Sequence, residues 1–140
     1  MSEQLVIPWV DETEKTSPEE RVYMTLHWIK NNEDLYYGLR RICVEEEANP
    51  AVNRLQRGDV FYIAKRRGLS ASGSTKFRFC NTMWPALSRY LIMDTPKLAR
   101  VIKPSECEID KLNLARMWHD VIGPRSFGVS DWRLACDASS

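Results

Sequence analysis

Apolar residues recur at helical spacing along most of this chain, so the sequence predicts an all-α fold. The first helix is predicted to run from Ser17, whose side chain can cap a free backbone N–H, to about Lys30. Asn31 and Asn32 separate it from a second helix, which is predicted to end near Glu47. The short loop favours an antiparallel pair. The buried positions predicted for these two helices are Val22, Leu26, Ile29, Leu35, Leu39, Ile42 and Cys43.

Two shorter helices are predicted between residues 49 and 68. Asn49-Pro50 is a helix-start signal, and Gly58-Asp59 ends that helix and starts the next one. The second of these helices is predicted to close at Gly68, because glycine adopts the left-handed conformation that often follows a helix. A pair of short helices is also compatible with a helix-turn-helix over residues 50–67.

The remaining helices are predicted after residue 75, and a short helix is favoured over a strand at residues 76–79. Proline is acceptable only in the first turn of a helix, and two of these helices carry it there. The pattern Ser105-x-x-Glu108 predicts a capping box that opens the longest helix, to about Ile122, at the centre of the second half. The predicted helix starts are Met83, Thr95, Ser105 and Ser130.

The segment SASGS at residues 70–74 is a low-complexity stretch that predicts a hinge. It divides the chain into an N-terminal helical lobe, residues 17–70, and a C-terminal helical lobe, residues 75–140. Residues 1–16 are interpreted as an N-terminal arm. The predicted architecture is therefore about seven helices in two small packed lobes.

Charge is distributed unevenly along the chain. Residues 54–103 contain eleven lysines and arginines and two acids, whereas the formal net charge of the whole chain is +1. Such asymmetry indicates a polyanionic partner, and the backbone of a nucleic acid is the first interpretation. A solvated face, or docking onto the acidic first half of a neighbouring copy, would also explain it. The predicted phosphate contacts are Arg54, Arg57, Lys65, Arg66, Arg67, Lys76, Arg78, Arg89, Lys97 and Arg100.

Six aromatic residues lie among these cations, and exposed rings can stack on unpaired bases. Aromatic residues at helical spacing more often belong to a core, so we expect one or two of the six to be exposed. The six are Phe61, Tyr62, Phe77, Phe79, Trp84 and Tyr90.

Catalytic and metal-binding patterns are weak. His27 and His119 lie in different predicted helices without a metal ligand at helical spacing, and the four cysteines form no Cys-x-x-Cys pair. No phosphate-binding glycine loop or nucleophile elbow is present. The sequence therefore predicts a binding protein rather than an enzyme, with no cofactor and no metal. Without a recognisable signal peptide or an apolar run near 18 residues, it is expected to be soluble and cytoplasmic, with no membrane partner.

Three segments carry a resemblance to a known family: LHWIKNNEDLYYGLRRI, NPAVNRL and LNLARMWHDVIG, within residues 20–135. Together with the basic middle of the chain they resemble the helical, type I-E-like small subunit of CRISPR-associated Cascade surveillance complexes. The resemblance implies a role in antiviral defence, other subunits of a ribonucleoprotein as partners, and self-contacts between copies. It further implies a basic groove that guides the displaced single DNA strand, or contacts the crRNA backbone, without reading sequence.

Two other functions remain open at this stage. A regulator that uses a helix-turn-helix at residues 50–67 would bind a specific duplex as a dimer. A structural adaptor, for example a viral one, would present the basic face to protein acids or to an anionic membrane.

Overall fold

The computed structural model describes residues 17–69 and 82–139, and within them the protein is all-helical. Six α-helices and two 3-10 helices are present in these two ranges, and no strand is, so the predicted fold class is confirmed. The α-helices are α1 (Pro18–Asn31), α2 (Glu33–Glu47), α3 (Arg57–Arg66), α4 (Trp84–Asp94), α5 (Leu114–Val121) and α6 (Trp132–Ser139). The 3-10 helices are Pro96–Arg100 and Glu108–Lys111.

The start of α1 follows the predicted signal. The Glu20 N–H donates to Ser17 Oγ at 3.1 Å, and the Ser17 N–H donates to Glu20 Oε1 at 2.9 Å, which is a complete capping box. Asn32 separates α1 from α2 as predicted, and the two helices pack against each other. The local sequence alone is sufficient to define this pair.

Helix α4 lies at the centre of the core. Every side chain of residues 86–93 is buried, because this helix is apolar around most of its circumference. It contacts α1, α6 and the 3-10 helix Pro96–Arg100. The sequence predicts instead that a helix over residues 105–122 lies at the centre of the second half of the chain, and this prediction is wrong.

The helix predicted from Ser105 does not form. The capping interaction lies two residues later, where the Cys107 N–H donates to Asp110 Oδ2 at 3.0 Å over a short 3-10 helix. Leu112 then has an extended backbone, and α5 begins only at Leu114. Similarly, the segment predicted as a helix after Thr95 is a 3-10 helix of five residues.

The helix predicted after Asn49-Pro50 is also absent. Residues 52–56 have no helical structure. The Leu55 N–H donates to the Val101 carbonyl at 2.9 Å, which ties this irregular segment to the end of a 3-10 helix. Within residues 50–67 the structure therefore has a single helix, α3. The helix-turn-helix alternative at these residues is wrong, since it requires two helices joined by a tight turn.

The two predicted lobes share one hydrophobic core. Helix α1, from the first lobe, packs against α4 and α5 from the second, and buried side chains from both belong to one cluster. The predicted arm at residues 1–16, the predicted hinge at residues 70–74 and the predicted helix at residues 76–79 lie outside the described residues.

Candidate nucleic-acid interface

Arg89, one of the predicted phosphate contacts, lies in the middle of α4 with 2% of its side chain exposed. Its Nε donates to Asp110 Oδ1 at 2.7 Å and its Nη2 to Asp110 Oδ2 at 3.0 Å. The carbonyls of Pro85 and Ser105 accept its other hydrogen bonds. Because the guanidinium is enclosed and its donors are used, Arg89 cannot reach a phosphate at the surface. This corrects the prediction made from its charge.

Arg67 and Arg100, two further predicted contacts, are paired with the acidic end of α2. Arg67 Nη2 lies 2.5 Å from Glu45 Oε1 in an exposed pair. Arg100 Nε lies 3.0 Å from Glu47 Oε2, and Arg100 also donates to the carbonyls of Val52 and Glu47. Part of the basic segment is therefore neutralised by carboxylates of the same copy, which counts against a phosphate contact by these two arginines.

Three other cations line one groove, which we call the basic groove. Arg54 lies in the extended segment before α3, Arg57 is the first residue of α3, and Lys103 follows the 3-10 helix Pro96–Arg100. The groove has a volume of about 360 Å³. In the described part of the chain no carboxylate forms a salt bridge with these three cations. The other lining residues are Leu55, Gln56, Gly58, Trp84, Ser88, Ile102 and Pro104.

The basic groove continues onto the exposed side of α3. Gly58 lines the groove, and Tyr62 and Arg66 follow it at i+4 and i+8 on one face of the helix, with Lys65 beside them. The Lys65 ammonium lies 5.4 Å from the centre of the Phe61 ring, and the Arg66 guanidinium lies 5.6 Å from that of Tyr62. We call Gly58, Tyr62, Lys65 and Arg66 the α3 stripe.

The groove and the stripe thus bring together four of the predicted contacts and add Lys103. The cations concerned are Arg54, Arg57, Lys65, Arg66 and Lys103. Lys97 is exposed on its 3-10 helix but does not line the groove. Lys76 and Arg78 lie outside the described residues, so their roles stay predictions.

Four of the six aromatic residues among the cations are described, and they differ in exposure. Tyr62 is 61% exposed, whereas Phe61 and Trp84 are half-buried. Tyr90 is buried beside Trp118, and its hydroxyl donates to the Leu114 carbonyl at 2.8 Å. One of these four rings is therefore well exposed, whereas the prediction of one or two exposed rings concerned all six. Phe77 and Phe79 lie outside the described residues.

A second charged cluster surrounds Asp94, and the sequence interpretation missed it. The Tyr36 hydroxyl donates to Asp94 Oδ2 at 2.5 Å, and Arg125 Nε donates to Oδ1 at 2.7 Å. Arg125 also donates to the Tyr37 hydroxyl at 2.6 Å. Burial raises the pKa of Tyr36 well above its ordinary value, and the neighbouring carboxylate raises it further, so this phenol stays a donor. No local pattern links these residues, which are widely separated in sequence.

His27 and His119 are both exposed, and no group of three or more His, Cys, Asp or Glu side chains within residues 17–69 and 82–139 could hold a metal ion. Burial raises the pKa of the Cys43 thiol to about 12, with a smaller contribution from Glu46, so this thiol is a poor nucleophile. None of the helices in the described ranges has both the length and the apolar character that a membrane crossing requires.

Similarity to known proteins gives no indication of what this surface binds. No family model matches the chain, and no curated protein or solved structure matches it. The resemblance to the Cascade small subunit therefore stays a prediction.

Proposed function

We propose that this protein is a non-catalytic nucleic-acid-binding protein that holds the phosphate backbone of a strand along the basic groove and the α3 stripe. The observation that supports this most is that five cations, three in the basic groove and two on the α3 stripe, form no salt bridge with a carboxylate of the described residues. Each lysine or arginine that contacts a phosphate releases condensed counterions, which favours binding. Five such cations, in the groove and along α3, give a surface suited to that interaction.

The geometry favours backbone contact over sequence reading. Specific recognition of a duplex usually places one helix, supported by a second, in the major groove. Here the cations come from an extended segment, from α3 and from the segment after a 3-10 helix. Contacts of this kind position a strand but carry no sequence information by themselves.

Salt dependence tests the proposal directly. We expect the unmodified protein to bind a labelled thymidine oligomer of about 20 nucleotides, with log K falling against log salt at a slope of about −3.5 if all five cations contact phosphates. That slope corresponds to about a hundred-fold loss of affinity between roughly 50 and 200 mM salt. Fluorescence anisotropy over this salt range measures it. Absence of binding, or affinity that does not change with salt, would contradict the proposal.

A narrower proposal follows from the resemblance stated above: the protein is the small subunit of a CRISPR-associated Cascade complex, located in the cytoplasm. An all-helical chain with a basic path is compatible with that role. The nucleic acid would then be the displaced DNA strand or the crRNA backbone, and the partners would be larger subunits and further copies of this chain.

Purification from the native cell tests the narrower proposal. A tagged copy expressed at its natural level is expected to bring down a ribonucleoprotein that contains larger subunits and a short guide RNA. Mass spectrometry and RNA sequencing of the eluate identify them. Recovery of the chain without RNA or larger subunits would remove the Cascade assignment but would leave the backbone-binding proposal to the salt titration.

A further inference from the structure

We propose that Tyr62 and Arg66 form a stacking platform for one unpaired base, and that this platform makes the protein prefer single-stranded over duplex nucleic acid. The inference rests on the proposed function, because it assumes that a strand lies along the basic groove and the α3 stripe. It adds a base contact and a strand preference to what is otherwise a charge-based interaction.

The exposure of Tyr62 is the first observation. Its side chain is 61% exposed, compared with 39% for Tyr23 and 37% for Tyr37, the other exposed tyrosines of the described residues. A large aromatic ring on a helix surface contributes little to the core. On a surface that carries cations, such a ring is well suited to stack on a base, since every base has an aromatic face.

The position of Arg66 is the second observation. Its guanidinium lies 5.6 Å from the centre of the Tyr62 ring, one helical turn further along α3. Guanidinium planes and tyrosine rings both stack on unpaired bases. The guanidinium lies over the ring, so the pair combines a planar cation with an aromatic ring that is 61% exposed, and Lys65 precedes Arg66 on the same helix.

The distance from the basic groove fits a continuous strand. Gly58 lines the groove, and Tyr62 follows it by four residues on the same face of α3, which is about 6 Å along the helix axis. Stacked nucleotides advance by about 3.4 Å each, so about two nucleotides separate the groove from the platform. A strand that passes Gly58 in the groove is therefore close enough to reach Tyr62.

A duplex cannot use the platform in the same way. Its bases are already stacked on one another, and exposing a base face requires unstacking or flipping, which costs a few kcal/mol. The cations can still contact duplex phosphates, because those are accessible on either form. Tyr62 is therefore expected to contribute to single-strand affinity and to leave duplex affinity unchanged.

The test compares three variants of the full chain: Tyr62→Ala, Tyr62→Phe and, as a matched control, Tyr23→Ala on α1. Affinities are measured by anisotropy for a labelled thymidine oligomer of about 20 nucleotides and for a loop-free duplex of two annealed strands of similar length. We expect Tyr62→Ala to weaken single-strand binding roughly five- to a hundred-fold, as loss of one base stack predicts, and to leave duplex binding unchanged. Tyr62→Phe should keep the single-strand affinity because it keeps the ring. Tyr23→Ala should have no effect on either ligand.

The possible outcomes separate this inference from the proposed function. Salt-dependent binding of the unmodified protein together with an unchanged single-strand affinity of Tyr62→Ala overturns the platform and leaves backbone binding intact. An equal loss on the single strand and the duplex also overturns it, because stacking acts on one form only. If the unmodified protein binds neither oligomer, the proposed function and this inference both fail. Circular dichroism of each variant checks that the helices are retained.

Discussion

Replacing Asp110 with asparagine is expected to lower the free energy of unfolding by about 3 kcal/mol or more, the range seen when one partner of a buried ion pair is removed. Asp110 accepts hydrogen bonds from Arg89, from the Trp132 indole N–H at 2.5 Å and from the Cys107 N–H. Asparagine is neutral, so the Arg89 guanidinium would remain buried without a counter-charge. Urea denaturation followed by circular dichroism measures the loss.

The matched control is Asp120→Asn, which makes the same chemical change in an exposed pair. Asp120 lies 3.7 Å from Arg116, and both side chains are more than half exposed. Exposed pairs contribute about 0 to 1 kcal/mol, so this variant should unfold close to the unmodified protein. Equal destabilisation by the two substitutions would show that the buried pair has no special role in the core.

Acid titration gives the Asp110 experiment a second measurement. Burial by itself raises the pKa of Asp110, but hydrogen bonds from Arg89, Cys107 and Trp132 outweigh burial and lower this pKa below its ordinary value. Since the folded pKa lies below the unfolded one, near 3.9, the stability from this carboxylate is present above about pH 4 and is lost as the pH falls through the folded pKa. The difference in free energy of unfolding between the unmodified protein and Asp110→Asn should therefore become smaller at acid pH.

The second large effect is expected from the triple charge reversal Arg54→Glu, Arg57→Glu, Lys103→Glu in the basic groove. Loss of three phosphate contacts removes about 2 from the magnitude of the single-strand salt slope and weakens binding about a hundred-fold at roughly 0.1 M salt. The new carboxylates would add repulsion to this loss. The described residues include no carboxylate that pairs with these cations, so the reversal breaks no salt bridge there and the fold should be kept. Anisotropy titrations at several salt concentrations measure both quantities.

A control with the same change in net charge separates a local site from a general charge effect. Lys30→Glu, Lys111→Glu and Arg116→Glu alter three exposed cations that belong to neither the basic groove nor the α3 stripe. This variant should bind nearly as tightly as the unmodified protein. If it loses as much affinity as the groove variant, net charge rather than the groove controls binding. Binding to anionic vesicles but to no oligomer would instead support the adaptor alternative.

The fold was predictable where the deciding interactions are local. Ser17 and Glu20 are three residues apart and form the predicted capping box, so the start of α1 is correct. The start predicted at Ser105 failed because the competing interaction is long-range: Asp110 is held by Arg89, 21 residues away, and by Trp132. A segment whose carboxylate is fixed from a distance takes the conformation that this contact requires, and no local pattern reveals the partner.

The candidate site was predictable in charge but only partly in residues. Arg54, Arg57, Lys65 and Arg66 reach the surface, as the count of cations suggested. Arg67 and Arg100 were also counted, but their partners Glu45 and Glu47 lie 22 and 53 residues away in sequence.

Arg89 could have been recognised from the sequence. It is a single cation within a helix that is otherwise apolar nearly all round, and such a residue often belongs to a buried ion pair. The Asp94 cluster offered no comparable signal, because its members come from three distant segments.

The pair formed by Glu45 and Arg67 closes one end of α3, whereas the end beside Arg57 opens into the groove. Arg67 at that end is neutralised within the same copy, so the cations left for a polyanion on α3 lie within its ten residues, or about 15 Å. One molecule can then hold about four or five stacked nucleotides on α3. Coverage of a longer ligand would have to come from several molecules placed end to end, each with its own short footprint.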